Sequence, residues 1–318
     1  MQLKKDSLSI GPLASTPRRL LVVINPVASS VSSRLRSLMV SALETRYDVH
    51  AVVTDGPGHA AALAGEAKNQ GMDAVVAFGG DGTANEVANG LGDSDVPLTC
   101  LPGGSANVFC GVTGSPREIT TAVRHLLGRA DNWQSASVDT GTVNGRRFLF
   151  TSGVGLDAKI VAGVDSRPEL KRRWRQWWFV THAARVIASD YAFSPPRVRI
   201  VGQPGSEGIA AVVQNGRPWT YFGQRPITVS KDAGLHTGTL AVTVVGRPRP
   251  WDYLPIGVRV FSGRGAAGHS RIHSYSAADF TVEALDSALI DVHVDGDHIG
   301  SVSRANYSVE PGAIRLLV

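Results

Sequence analysis

The sequence has little cysteine and no long apolar run, and both absences narrow the class of protein. Among 318 residues there are two cysteines, Cys100 and Cys110, too few for a disulfide framework and spaced unlike a metal site. We expect both to be buried thiols, which fits a cytosolic chain. Because no stretch reaches about 18 consecutive apolar residues, we expect no membrane-spanning helix.

The first residues also lack a targeting signal. Residues 1–18 carry basic side chains but no apolar core before a cleavage site, so we expect a flexible polar tail. Hydrophobic residues make up 43 % and charged residues 19 % of the chain, enough for a packed core. The net charge of +5 leaves nucleic acid, an anionic membrane and phosphorylated substrates open as partners.

Strands and helices are predicted to alternate up to about residue 130. Short apolar runs predict strands at 20–24, 49–54, 74–78 and 98–101, and helical spacing predicts helices at 32–46, 58–70, 83–91 and 115–128. This alternation is typical of a doubly wound parallel α/β sheet. Such sheets bind ligands beyond the carboxyl ends of their strands.

Three loops of small residues fall at that edge of the predicted sheet, at 25–29, 79–83 and 103–107. A glycine-rich turn from strand to helix leaves backbone N–H groups free to bind phosphate. Asp81 would repel a phosphate, so it indicates a metal ion or a hydroxyl proton. One such loop is equally well explained as a tight turn, but three at one edge favour a phosphate site.

After Asp131 the pattern changes to short strands separated by polar or glycine turns. Strands are predicted at 137–142, 148–152, 197–201, 209–215, 239–245, 279–284 and 289–294. Asn144-Gly145 predicts a hairpin between the first two. We therefore predict an α/β domain that carries the phosphate site at 19–135 and an antiparallel β-sandwich-like domain at 136–306.

A predicted helix at 167–189 interrupts the β region and is rich in arginine and tryptophan. Its run LKRRWRQWWFV combines basic and aromatic side chains, which is typical of a membrane interface. A helix that packs its tryptophans on the β domain explains the run equally well. Nucleic acid is not expected, because the charge is local and no nucleic-acid motif accompanies it.

Acidic residues alternate late in the chain. Asp291, His293, Asp295 and Asp297 would share one face of a strand, so the simplest interpretation is a half-exposed strand with its polar face in water. The functional hypothesis is that Asp297, at the strand end, accepts a proton from a hydroxyl group. His293 could tune that carboxylate or bind a metal ion, although a lone histidine between acids is usually only solvated.

Five segments together resemble the diacylglycerol kinase catalytic-domain family, which includes sphingosine and ceramide kinases and bacterial soluble lipid kinases. They are INPVAS at 24–29, GGDGTANEVANGL at 79–91, LPGGSANVF at 101–109, SGVGLDA at 152–158 and VDGD at 294–297. The GGDGT loop alone would also suit NAD kinases or 6-phosphofructokinases. The Asn-Pro pair and the PGGSAN loop favour the lipid kinases.

The resemblance implies that residues 19–135 form a nucleotide-binding domain and that ATP binds at an active site in the cleft between the two domains. It further implies that Asp81 organises Mg²⁺ and that Asp297 is the general base. It also implies that the final segment, 307–318, returns to the first domain. The implied nucleotide-binding residues are Asn25, Pro26, Ala28, Ser29, Thr54, Gly79, Gly80, Asp81, Gly82, Thr83, Asn85, Glu86, Gly104, Ser105 and Asn107.

The chain departs from the family pattern at three positions. Asp297 stands where the family usually has Glu, and Val108 stands where many relatives have Asp. Thr237-Gly238 replaces an Asp-Gly pair that helps to hold a structural magnesium ion in the family. We therefore do not expect that structural site here.

We predict an ATP-dependent lipid kinase that phosphorylates diacylglycerol or a similar lipid. The resemblance and the Trp/Arg segment indicate a cytoplasmic protein that associates peripherally with the inner face of the membrane, where it meets its lipid substrate; a homodimer stays open. The alternatives are a non-catalytic nucleotide- or lipid-binding relative, a sphingoid or ceramide kinase, and a kinase of a soluble nucleotide or sugar.

Overall fold

The computed structural model describes residues 17–28, 32–165, 181–182, 185–186, 189, 195–202, 206–286 and 289–318. Its helices are α1 Ser33–Glu44, α2 His59–Gly65, α3 Asp81–Leu91, α4 Val108–Val112, α5 Ile119–Arg129, α6 Leu156–Asp165 and α7 Tyr253–Phe261. Its strands are β1 Arg19–Ile24, β2 Asp48–Val53, β3 Ala74–Gly79, β4 Leu98–Pro102, β5 Ser135–Val143, β6 Arg146–Phe148, β7 Thr151–Gly155, β8 Val198–Ile200, β9 Glu207–Gly208, β10 Ala210–Gln214, β11 Thr220–Phe222, β12 Arg225–Ile227, β13 Leu240–Val245, β14 Ile272–Ala277, β15 Asp279–Ala284, β16 Ile290–Val294, β17 Asp297–Val302 and β18 Arg304–Leu317.

The first four strands form the predicted parallel sheet, in the order β2-β1-β3-β4. Their carboxyl ends are in register, since Ile24 lies beside both Val53 and Phe78, and Phe78 lies beside Leu101. Both faces are buried, because alternate residues of β1 enter two separate cores. The loops that follow these strands therefore begin at one edge of the sheet.

The later strands form a two-layered β region. Strand β18 pairs with β5 and β15, and its Leu316 also lies beside Leu98 of β4, so the parallel sheet continues into antiparallel strands. A second sheet, β14-β13-β10-β7-β16-β17, packs on this extension. The core between the layers includes Phe148, Val213 and Tyr307. The predicted class, a parallel α/β sheet with an antiparallel β-rich region, is confirmed.

The predicted strand at 289–294 corresponds to β16, but the expectation that the four polar residues of 291–297 share one solvated strand face is wrong. Strand β16 ends at Val294, and the chain reverses through Asp295-Gly296, whose φ angles of 48° and 88° form a tight hairpin turn. A register shift between Val292 and His293 also breaks the alternation. His293 and Asp295 are consequently buried rather than solvated.

Helices α4, α6 and α7 were not predicted, and α2 is shorter than expected. The predicted helix at 167–189 lies largely outside the described residues. Within the described part of the chain, no helix is both long enough and apolar enough to cross a membrane.

Candidate active site

The predicted small-residue loops meet through their backbones. The N–H of Gly103 donates to the carbonyl oxygen of Gly79 at 2.8 Å. A Cβ on Gly104 would lie 2.7 Å from the Cα of Gly80, and one on Gly103 would lie 3.4 Å from the Cβ of Ala28. Two strands that end in register bring these loops together, and only glycine permits so close an approach.

Asn25 ties the first loop to the start of α3. Its Nδ2 donates to the Oγ1 of buried Thr83 at 3.0 Å, and its Oδ1 accepts from the N–H of Val27 at 3.0 Å. Thr54 is also buried, and its N–H donates to the carbonyl of Ile24 at 2.8 Å. Pro26 is exposed at the loop surface. The remaining predicted residue of this loop, 29, lies outside the described residues.

Asp81 begins α3 and bonds to the start of α4. Its Oδ1 accepts from the N–H of Phe109 at 2.8 Å, and the N–H of Val108 also donates to this carboxylate. Burial raises the pKa of Asp81 to about 6, against the effect of the two amides; the charges of Asp295 and Asp297 raise it further. Asp81 therefore connects the GGDGT loop to the next loop, a contact that its spacing did not reveal.

Asn107 shapes the third loop. It adopts the left-handed conformation, with φ 48° and ψ 50°, immediately before α4. Its Oδ1 accepts from the N–H of Gly104 at 2.8 Å and its Nδ2 donates to the carbonyl of Gly104 at 2.9 Å. Ser105 is exposed at the tip of this closed loop.

Arg117 supports the same loop and was missed by sequence reasoning. Its Nε and Nη2 donate to the carbonyl oxygen of Ala106 at 3.1 and 2.8 Å. Its guanidinium lies 3.5 Å from the ring centroid of Tyr221 in the β11–β12 hairpin. A single arginine after α4 gave no sequence signal for these contacts.

Asp297 comes to the GGDGT loop from the β16–β17 hairpin. It is the first residue of β17 and its side chain is exposed. A Cβ on Gly82 would lie 2.7 Å from its Oδ2, so the carboxylate lies against the backbone at the start of α3. Asp81 and Asp297, the two acids predicted from the sequence, thus both lie at the start of α3.

Asp295, two residues earlier, has a different environment. It is 4 % exposed, and its carboxylate accepts four hydrogen bonds. The donors are the Nδ2 of Asn85 at 2.8 Å and the N–H groups of Leu149, Phe150 and Thr151 at 2.7, 3.0 and 3.1 Å. Burial raises the pKa of Asp295, while the four donors act in the opposite direction. The Asp-Gly hairpin signal could have separated it from Asp297.

Asn85 and Glu86 contact neighbouring segments rather than the other small-residue loops. Besides its bond to Asp295, Asn85 donates to the carbonyl of Arg147 at 3.0 Å. Glu86 accepts from the N–H of Gly58 at 3.1 Å, at the start of α2. In the structure both residues therefore hold together the segments around the site.

Asp81 and Asp297 are the candidate ligands for a metal ion at this site. Among the described residues no group of three or more His, Cys, Asp or Glu side chains could hold a metal ion. Mg²⁺ usually binds one or two carboxylates together with substrate phosphates, and the carboxylates of Asp81 and Asp297 have the chemistry of such ligands. Thr237-Gly238, where the sequence departs from the family pattern, is bonded within the protein. The hydroxyl group of Thr237 donates to the carbonyl oxygens of Gly234 and Thr239, and the N–H of Gly238 donates to the carboxylate of Asp139 at 2.8 Å.

The fold is shared with known proteins, and part of the sequence matches a known domain. Residues 19–143 match the diacylglycerol kinase catalytic domain. A Pseudomonas aeruginosa protein named "Probable lipid kinase YegS-like" is 28 % identical over 90 % of this chain and 89 % of its own length. A Bacillus subtilis diacylglycerol kinase is 31 % identical over 47 % of this chain and 50 % of its own length. The crystal structure of a Bacillus anthracis diacylglycerol kinase superimposes with a TM-score of 0.67, at 21 % identity, over 95 % of this chain and 97 % of that chain, and shows the shared fold.

The sequence resemblance is confirmed over residues 19–143, which match the family model of the diacylglycerol kinase catalytic domain. The family is one of lipid kinases, and the relatives carry names of that class.

Proposed function

We propose that the protein transfers the γ-phosphoryl group of ATP to the hydroxyl group of diacylglycerol or a similar lipid at the inner membrane surface. The observation that carries the proposal is the position of Asp297, whose carboxylate lies against Gly82 in the GGDGT loop. A candidate base from the β region and a candidate phosphate loop from the parallel sheet thereby reach the same point.

The nucleotide would bind along the small-residue loops. The backbone N–H groups at the start of α3 lie at the positive end of a helix of 11 residues, which favours phosphate. Gly80 and Gly104 let the two loops pack backbone against backbone, so that both loops could lie beside the same phosphates. Asp81, with Asp297 nearby, would hold Mg²⁺, which would neutralise charge on the phosphates.

Asp297 would accept the proton of the lipid hydroxyl. The hydroxyl oxygen then forms a bond to the γ-phosphorus while the bond from that phosphorus to the bridging oxygen of ADP breaks. Asp297 is exposed and follows the Asp295-Gly296 turn, so it can meet an acceptor that arrives from outside. The donors that fix Asp295 fix the turn, and with it the direction of Asp297.

The test is transfer of radiolabel from ATP to a lipid panel in mixed micelles. We expect diacylglycerol to be labelled as phosphatidic acid in the presence of Mg²⁺. Labelling of a sphingoid base or ceramide alone would assign the other lipid class. If no diacylglycerol, sphingoid or monoacyl lipid is labelled, the proposal is wrong.

A non-catalytic nucleotide-binding relative is the second candidate, favoured by Asp297 in place of the family's Glu. The shorter arm moves the carboxylate by about one C–C bond, and such displacements can slow catalysis greatly. This candidate predicts that the wild type binds ATP, measured by calorimetry, while neither lipids nor water-soluble acceptors become labelled.

A further inference from the structure

Helix α7 and the turn before it present an apolar stripe to the outside. Trp251, Leu254, Val258 and Phe261 are 67, 76, 57 and 43 % exposed. Spacings of three, four and three residues place them along one helix face. These are four of the ten large hydrophobic side chains that are exposed in the described part of the chain, and they lie within one short segment.

The opposite face of α7 is covered. Ile256 and Val260 pack against a core that contains Val229 and Ile272. The helix is therefore apolar on two faces, and the inner face alone accounts for its attachment to the fold. Burial does not explain the outer stripe, whose side chains are on average more than half exposed.

The stripe lies in a strongly basic segment. Residues 247–271 contain five arginines and a single acidic residue, Asp252. Arg247, Arg249 and Arg264 are exposed, and the guanidinium of Arg249 lies 5.5 Å from the ring of Trp251. Asp252 is occupied locally, since its Oδ2 accepts from the N–H of Arg249 at 2.8 Å. The surroundings of the stripe therefore carry net positive charge.

The stripe is also next to the candidate active site. The ring of Phe261 packs edge-on against Phe222, with 6.0 Å between centroids. The preceding residue of the same hairpin, Tyr221, lies under Arg117, which bonds to the loop at Ala106. A partner bound to the outer face of α7 would consequently lie close to the small-residue loop at 103–107.

We propose that the outer face of α7 inserts into the interface of an anionic lipid bilayer. Exposed aromatic and aliphatic side chains on a helix, flanked by arginines, match the boundary between acyl chains and anionic headgroups. The positive charge favours a negatively charged surface over a second copy of this basic chain. The inference deepens the proposed function, because it states which face meets the membrane that supplies the lipid.

The test measures vesicle binding without ATP. The full chain and the double variant Leu254→Glu/Val258→Glu are sedimented with vesicles of phosphatidylglycerol and phosphatidylcholine in equal parts, and with pure phosphatidylcholine. We expect the double variant to bind the anionic vesicles roughly tenfold less tightly, and the wild type to prefer them over the neutral ones. Leu38→Glu is the matched control, since Leu38 is 55 % exposed on α1, and it should bind like the wild type.

Three outcomes would overturn the proposal. The double variant could bind anionic vesicles like the wild type, or the wild type could fail to bind them. The double variant could also convert a dimer into a monomer in analytical ultracentrifugation with vesicle binding unchanged, which would make this face an interface between copies.

Kinase activity separates this proposal from the proposed function. A short-chain diacylglycerol dispersed as monomers needs no docking, so the double variant should phosphorylate it at the wild-type rate. Vesicle binding that depends on α7 in a protein without kinase activity would support docking and reject the lipid kinase. The reverse result would reject docking alone.

Discussion

Asp295 and Asp297 lie two residues apart on one hairpin and both contact α3, yet their environments differ. Asp295 is buried and holds three consecutive backbone amides and Asn85. Asp297 is exposed and lies against Gly82 at the start of α3. The carboxylate of Asp295 thus joins segments of the chain, whereas the carboxylate of Asp297 faces the candidate substrate site. Environment, rather than residue type, separates a structural acid from a candidate base.

The largest expected effect is on the exposed acid. Asp297→Asn keeps the size of the side chain but cannot accept a proton, so kcat for lipid phosphorylation should fall roughly 100- to 10,000-fold. The free energy of unfolding should stay within about 0.5 kcal/mol of the wild type, because the site is exposed. Radiolabel transfer and urea unfolding measure the two quantities. A variant with full activity would remove Asp297 from the mechanism.

The same substitution at the buried acid should give the opposite pattern. Asp295→Asn directs an N–H₂ group at amides that need an acceptor, so the free energy of unfolding should drop by about 2–4 kcal/mol. Urea denaturation measures this loss, and ATP affinity at low temperature shows whether the folded fraction still binds nucleotide. If stability were unchanged, the four hydrogen bonds of Asp295 would not hold the hairpin.

The two acids also show what could be predicted from the sequence. The loops at 79–83 and 103–107 were predictable, because strand–helix alternation and glycine placement are local signals. The burial of Asp295 was not, because an alternating pattern assumes one continuous strand, and the chain instead turns at Asp295-Gly296. Its partners Leu149 and Asn85 are more than 140 residues away along the chain, a distance that no local pattern spans.

In the fold too, local sequence patterns predicted some elements and missed those that depend on contacts with distant parts of the chain. The strands up to Leu101 were close to their predicted bounds, since each is a short apolar run. Strand β18 was not predicted, because its polar and glycine-containing sequence gives a weak signal, although pairing with β5, β15 and β4 makes it the longest described strand. Arg117 and Asp81 likewise have roles fixed by contacts with α4 and its preceding loop.

The two glycine loops, at 79–83 and 103–107, meet through backbone atoms. Gly104→Ala would place a Cβ 2.7 Å from the Cα of Gly80, so the loops must separate. We expect a stability loss of about 1–3 kcal/mol and a higher KM for ATP. The matched control is Gly128→Ala in α5, where a Cβ meets no atom within 4 Å and should stabilise the helix by up to about 1 kcal/mol. Equal effects of the two substitutions would contradict the close loop contact.

The smallest expected effect concerns an exposed carboxylate that only caps a helix. Glu118 precedes α5, and its carboxylate accepts hydrogen bonds from the hydroxyl group of Thr120, from the N–H groups of Thr121 and Thr120 at 2.8 and 3.1 Å, and from the hydroxyl group of Thr121. These bonds lower the pKa of Glu118 to about 2. A folded-state pKa below the ordinary value of 4.5 means that the stabilisation is complete above that pH and is lost as the pH falls toward 2.

Glu118→Gln should therefore lower the free energy of unfolding by about 0.5–1 kcal/mol near pH 7, a small effect because solvent screens the exposed cap. Near pH 3 the substitution should cost less, because the wild type has already lost part of this stabilisation. Urea unfolding of the variant and the wild type at both pH values measures the difference. A constant difference would mean that the charge of Glu118 does not contribute. Unlike Asp295, this carboxylate has water as an alternative partner, so the same kind of bond contributes several times less.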